Sequence, residues 1–133
     1  MEVVWTEKSP IMQIIEMDRT VTLAEQLADT GDPVILINTF TVDPEDVEQF
    51  LTAWAADAAY FKGQPGFIST QLHRGIAGSC VFLNYAVWES TEHFRRAFTN
   101  PDFRAKLGQY PSSAVGSPHL FRKVAVPGIC VAC

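Results

Sequence analysis

The sequence predicts an α+β domain, one mixed sheet with helices against it, and three observations carry that reading. Four β-branched or aromatic runs alternate with two apolar stripes at helical spacing. From residue 33 onward these segments fall in the order β-α-β-β-α-β. With 133 residues, 47% of them hydrophobic and 19% charged, the chain is long and apolar enough to bury a core without disulfides. The division expected is an N-terminal arm over residues 1–32 and one domain with a short tail over residues 33–133.

In the arm, Met12 to Met17 reads as a short strand, and Thr22 with Glu25 forms a capping-box pattern at a helix start. Gly31, just before Pro33, marks that helix's end. Val34 to Val42 is the first strand of the domain. Asp43 and Pro44 open a helix, the aspartate side chain accepting free N–H groups and the proline losing no bond. Val47, Phe50, Leu51, Trp54, Ala58 and Phe61 recur at threes and fours along it. Gln64 to Gly66 breaks the chain, Phe67 to Arg74 alternates as a strand, Gly75 to Gly78 turns it back, and Cys80 to Trp88 returns as a third strand. Ser90 caps a second helix, which restarts at Asn100 and Pro101 and buries Phe103 and Leu107. Residues 111–118 read as loop, and His119 to Val126 as a last strand closed by Pro127.

This is the ferredoxin-like arrangement. Its open sheet face would carry Ile35, Ile37, Leu83, Tyr85 and Val87, too apolar to leave in water. Two such sheets packed face to face make a homodimer with a barrel-like interior, a dimeric α+β barrel.

Composition excludes several classes of partner. A net charge of -5 and only isolated basic pairs, Arg95 with Arg96 and Arg122 with Lys123, argue against nucleic acid. The apolar runs fall far short of the roughly 20 residues of a membrane span. The opening residues lack a signal-peptide layout, so the expected location is the cytoplasm. Cys80 reads as a small core residue, and Cys130 with Cys133 as a terminal Cys-x-x-Cys without a second ligand pair. Three scattered histidines give no metal spacing, and no phosphate or dinucleotide loop is present, so no cofactor is expected. The carboxylates gather at helix starts, where capping explains them.

Period-two alternation puts Phe82, Asn84, Ala86 and Trp88 on the strand face opposite Leu83, Tyr85 and Val87. Asn84 is the anomaly there, because a buried amide left unpaired costs about 1–3 kcal/mol. It is either satisfied by backbone or water, or it addresses a ligand. Trp88 is either core or a flat platform with one N–H donor. Asn38 repeats the pattern on the first strand. His73 sits by the hairpin and Arg104 flanks the last apolar stripe, each either solvated or turned to a ligand.

Pro65, Gly66, Phe67, Ile68 and Ser69, the run Asn84 to Ser90 containing Trp88-Glu89-Ser90, and the aromatic Phe94 resemble the antibiotic biosynthesis monooxygenase family over about residues 33–126. The resemblance implies a dimeric α+β barrel and, for its nearest branch, a cofactor-independent oxidation of polycyclic phenols or hydroquinones to quinones with O2 in aromatic polyketide pathways. It implies catalytic roles for Asn84, Trp88 and Arg104, substrate contacts from Asn38 and His73, and apolar walls from Phe82 and Phe94. Two family tyrosines correspond here to Phe94 and Leu72, which removes hydroxyls that orient a phenol. The haem-degrading branch matches only at Asn38, its other positions falling on Ala97 and Leu107. A cyclase or isomerase of a related intermediate, and a non-catalytic protein that binds an aromatic metabolite, stay open beside the oxygenase.

Overall fold

Residues 12–132 are described in the computed structural model. The strands are β1 (Gln13–Ile14), β2 (Val34–Thr41), β3 (Phe67–Arg74), β4 (Val81–Trp88) and β5 (Val115–Phe121). The helices are α1 (Leu23–Leu27), α2 (Val47–Lys62), α3 (Thr91–Phe98) and α4 (Pro101–Lys106). One five-stranded sheet runs β1-β5-β2-β4-β3. Without β1 this is the ferredoxin-like order, antiparallel throughout, with β2 and β4 central.

The arm builds onto that sheet. β1 adds a parallel edge to β5, and Ser117 Oγ donates to the Ile15 carbonyl at 2.7 Å. Thr22 and Glu25 make the expected capping box at α1. The Gln26 carboxamide then acts as a further strand partner: its oxygen accepts from Leu120 N–H at 2.9 Å and its nitrogen donates to the Leu120 carbonyl at 3.0 Å. α1 ends at Leu27, not at Gly31; Ala28 closes it in right-handed geometry, and Gly31, with φ +135°, serves the following turn instead.

Two further expectations change. Asp43 makes no side-chain capping bond; residues 44–46 form a 3-10 turn before α2, and the Asp43 N–H donates to Ser113 Oγ, which itself donates to Asp46. The last strand starts four residues before His119 and ends at Phe121, so half of the expected loop is strand. Pro118 fits there because its missing donor faces away from β2, as does the Leu120 N–H that reaches Gln26 two residues on. Further along, Val126 bridges back to Cys130 within the tail. Cys130 is exposed and donates to the Val124 carbonyl, whereas Cys133 lies outside the described residues.

The Pro65-Gly66-Phe67 turn has a steric cause. Gly66 holds φ +87°, and a Cβ there would sit 2.2 Å from the His93 ring. His93 is held by Ser90, whose oxygen caps α3, so the turn, the cap and the start of β3 lock together. A bulge between Phe67 and Ser69 then resets the alternation, turning Phe67 and Thr70 to the same side.

Side chains from the helix-facing side of the sheet and from the helices form two core clusters, one around Phe40, Phe50 and Phe82, the other around Leu36, Trp88 and Phe94. Ile35, Ile37, Leu83, Tyr85 and Val87 belong to neither, and Tyr85 is 37% exposed. No helix of the described residues is long and apolar enough to cross a membrane.

Candidate functional site

Between the two clusters the sheet and helices part around an apolar cavity that opens to solvent. Its floor is the helix-facing side of β2 and β4, its roof is α2, α3 and α4, and Met12 and Ile14 of the arm line it as well.

The floor is polar at one place. Asn38 and Asn84 stand directly opposite each other on adjacent strands, a register that puts Cβ atoms about 5 Å apart. Each carboxamide is anchored by its oxygen, in opposite directions. Asn38 Oδ1 accepts the Ser117 N–H of β5 at 2.9 Å, and Asn84 Oδ1 accepts the Thr70 hydroxyl of β3. Neither NH2 group has a partner among the described residues, and both side chains line the cavity. The result is a pair of fixed donors side by side on an otherwise apolar floor, suited to an oxygen that carries negative charge.

Aromatic rings frame that pair. Trp88 is 1% exposed and lines the cavity, with Phe61, Phe67 and Phe94 edge-on around it at centroid distances of 5.8, 5.5 and 5.7 Å. Its indole N–H makes no hydrogen bond among the described residues. Edge-to-face packing fixes the ring without using that donor.

One ionisable group hangs from the roof. Asp57, on α2, is 5% exposed, lines the cavity, and its Oδ1 is buried without a hydrogen-bond partner. Burial pushes its carboxyl up to about 6, an effect opposed by the Tyr110 hydroxyl and the Lys106 charge. The same burial, with Asp57 as neighbour, raises the Tyr110 phenol far above its ordinary value, so Tyr110 stays protonated.

The structure therefore brings together Asn38, Asn84, Trp88 and Phe94 and leaves three expected residues outside. Phe82 is buried in the neighbouring cluster, 4.8 Å from Phe50 and under the Arg74 guanidinium. His73 pairs with Leu83, so strand parity turns it to the opposite sheet face, where it is exposed with Nδ1 3.3 Å from the Leu83 carbonyl. Arg104 is exposed on α4, because Phe103 and Leu107 take the buried side of that turn and the residue next to Phe103 points outward.

Asp57, Tyr110 and Thr70 were missed from the sequence. A signal existed for Asp57: it lies three residues after Trp54 and four before Phe61, inside the apolar stripe, where a solvated carboxylate does not belong. Tyr110 and Thr70 carried no such signal. Among the described residues, no three His, Cys, Asp or Glu side chains come together to hold a metal ion.

A family model described as antibiotic biosynthesis monooxygenase matches residues 33–106. Deoxynogalonate monooxygenase from Streptomyces nogalater is 39% identical over 73 residues, 55% of this chain and 61% of that protein's own length. The crystal structure of SnoaB, a cofactor-independent oxygenase from Streptomyces nogalater, superposes with a TM-score of 0.66 at 30% identity. That match covers 74% of this chain and 99% of SnoaB. A conserved protein from Methanosarcina mazei, 13% identical, shares the fold with a TM-score of 0.61, covering 69% of this chain and 93% of that one.

Proposed function

The chain belongs to the antibiotic biosynthesis monooxygenase family, and from that premise we propose that it is a cofactor-independent monooxygenase that converts a polycyclic phenol or hydroquinone to a quinone with O2. The observation that carries this reading is the Asn38–Asn84 pair, two anchored donors facing an aromatic-lined cavity.

An electron-rich phenolate reduces O2 by one electron, and the radical pair recombines at the ring carbon para to the oxygen. The peroxide takes up the proton released by the phenol. Loss of the ring hydrogen with O–O cleavage gives the quinone and one water. The chain's share is to bind, orient and exclude water. The paired carboxamides and the Trp88 N–H hold ring oxygens and stabilise the phenolate, and Phe94 and its aromatic neighbours wall the ring system. Arg104 and His73 have no part in this scheme.

The sheet face bearing Ile35, Ile37, Leu83, Tyr85 and Val87 supports a homodimer, two sheets covering each other.

Dithranol, a dihydroxyanthrone, serves as the test substrate. Purified protein without added cofactor should consume one O2 for each anthraquinone formed, and Asn84→Ala should lose about 100-fold in kcat. Conversion to an isomer without oxygen uptake would assign a cyclase instead. Dithranol recovered unchanged, beyond its uncatalysed oxidation in air, would assign a binding protein.

A further inference from the structure

We propose that Asp57 is the base of this reaction: the carboxylate that takes the phenolic proton of the substrate and returns it to the peroxide. The inference rests on the oxygenase reading above.

The argument is geometric first. Asp57 lies within a 16-residue helix, on the face that lines the same cavity as the Asn38 and Asn84 donors. Its Oδ1 is buried with no hydrogen-bond partner. No ion pair involves it among the described residues, and the nearest cation, Lys106 on α4, acts on it only through the field. A carboxylate kept in an apolar wall with one oxygen unpaired and only the neutral Tyr110 hydroxyl bonding to the group is destabilising, and packing alone would favour an apolar residue there. Such groups cluster where a proton has to be moved.

The chemistry matches the position. Asp57 faces two groups that bear on its charge, Tyr110 from the turn after α4 and Lys106. The polar lining of the sheet opposite, Asn38, Thr70 and Asn84, is neutral. With its carboxyl raised to about 6, Asp57 is ionised at neutral pH yet a stronger base than an exposed aspartate. It accepts the O–H proton of the phenol and leaves the electron pair on an oxygen held by the carboxamides. After O2 adds to the para carbon, Asp57 gives that proton to the outer peroxide oxygen. As the O–O bond breaks it takes the ring C–H proton and passes it to the departing hydroxide, which leaves as water. The carboxylate is regenerated, and one O2 gives one quinone oxygen and one water.

The experiment separates base from scaffold. Dithranol is titrated anaerobically into the parent protein, Asp57→Asn and Asp57→Ala, and the absorption of its anion is followed. The parent should bind it as the anion, with ionisation lost below about pH 6. Asp57→Asn should bind it within about threefold of the parent's affinity but neutral, and in air lose about 100-fold or more in kcat. Formate should restore ionisation to Asp57→Ala, because the vacated space admits a small carboxylate. Because proton removal is read without O2, a parent that ionises dithranol but takes up no oxygen overturns the oxygenase and leaves the base standing. An Asp57→Asn protein that still ionises the bound probe, or a parent that binds it neutral, overturns the base.

Discussion

Replacing Asp57 by Asn should make the protein more stable at neutral and basic pH while disabling it, and the size of that gain follows from burial. The folded-state carboxyl sits at about 6 against an ordinary value of 3.8, so folding favours the protonated form. The sign follows from linkage. A raised acid contributes stability that is complete below the ordinary value and is lost as pH rises through the folded-state value. The shift of about two units corresponds to about 3 kcal/mol, of which about 2 kcal/mol falls between about pH 4.5 and about pH 8. Asparagine does not titrate there, so the difference in unfolding free energy between Asp57→Asn and the parent should grow by about 2 kcal/mol in the variant's favour across that interval. Urea denaturation of both proteins at the two pH values measures it, and differencing removes the packing change, which is common to both conditions. A difference that stays flat with pH would refute the claim that Asp57 is held in a poorly solvated wall without a charged partner in contact. One that moves the other way would mean that the ionised form has a strong partner in the fold.

Thr70→Val removes the hydroxyl that anchors the Asn84 oxygen while keeping the side chain's shape; steady-state kinetics on dithranol should show kcat lowered about tenfold, and urea titrations an unfolding free energy lowered by about 1–3 kcal/mol. Gly66→Ala forces a left-handed φ and drives a Cβ into His93, and should lower the unfolding free energy by about 2–4 kcal/mol in urea titrations, with Ser90→Gly suffering less. Tyr85→Arg places a charge in the middle of the exposed sheet face, and light scattering should report a monomer for the variant and a dimer for the parent; an unchanged mass would put the interface elsewhere.

Much of the frame was legible because it depends on periodicity and on local hydrogen-bond chemistry. β3 runs from Phe67 to Arg74 as expected, and Thr22, Ser90 and Asn100 each cap the helix that follows them. The last strand was misplaced for a reason of context. Gly116, Ser117 and Pro118 carry turn propensities, and only the geometry of an edge, with β1 and Gln26 completing it, makes a strand of them. Within the site, alternation was enough to put Asn84 and Trp88 on one face with Asn38 on the neighbouring strand, since strand parity is a property of the backbone. Counted from Phe67, plain alternation would have put His73 on the cavity side; the bulge after Phe67 resets the parity of β3 and turns it to the other face.

What the sequence determined by itself is which side chains share a face, because a strand repeats every two residues and a helix every 3.6, whatever surrounds them. It therefore carried the element order, the apolar stripes and the capping residues. Only the tertiary structure decided which faces meet. That Asn38 stands against Asn84, that their oxygens are turned away toward Ser117 and Thr70, and that Asp57 lines the same cavity depend on contacts between residues up to 79 positions apart. The electrostatic consequence is of the same kind: an aspartate's charge is set by what excludes water from it, and here the excluding groups come from a helix, a sheet and a turn that no local pattern joins.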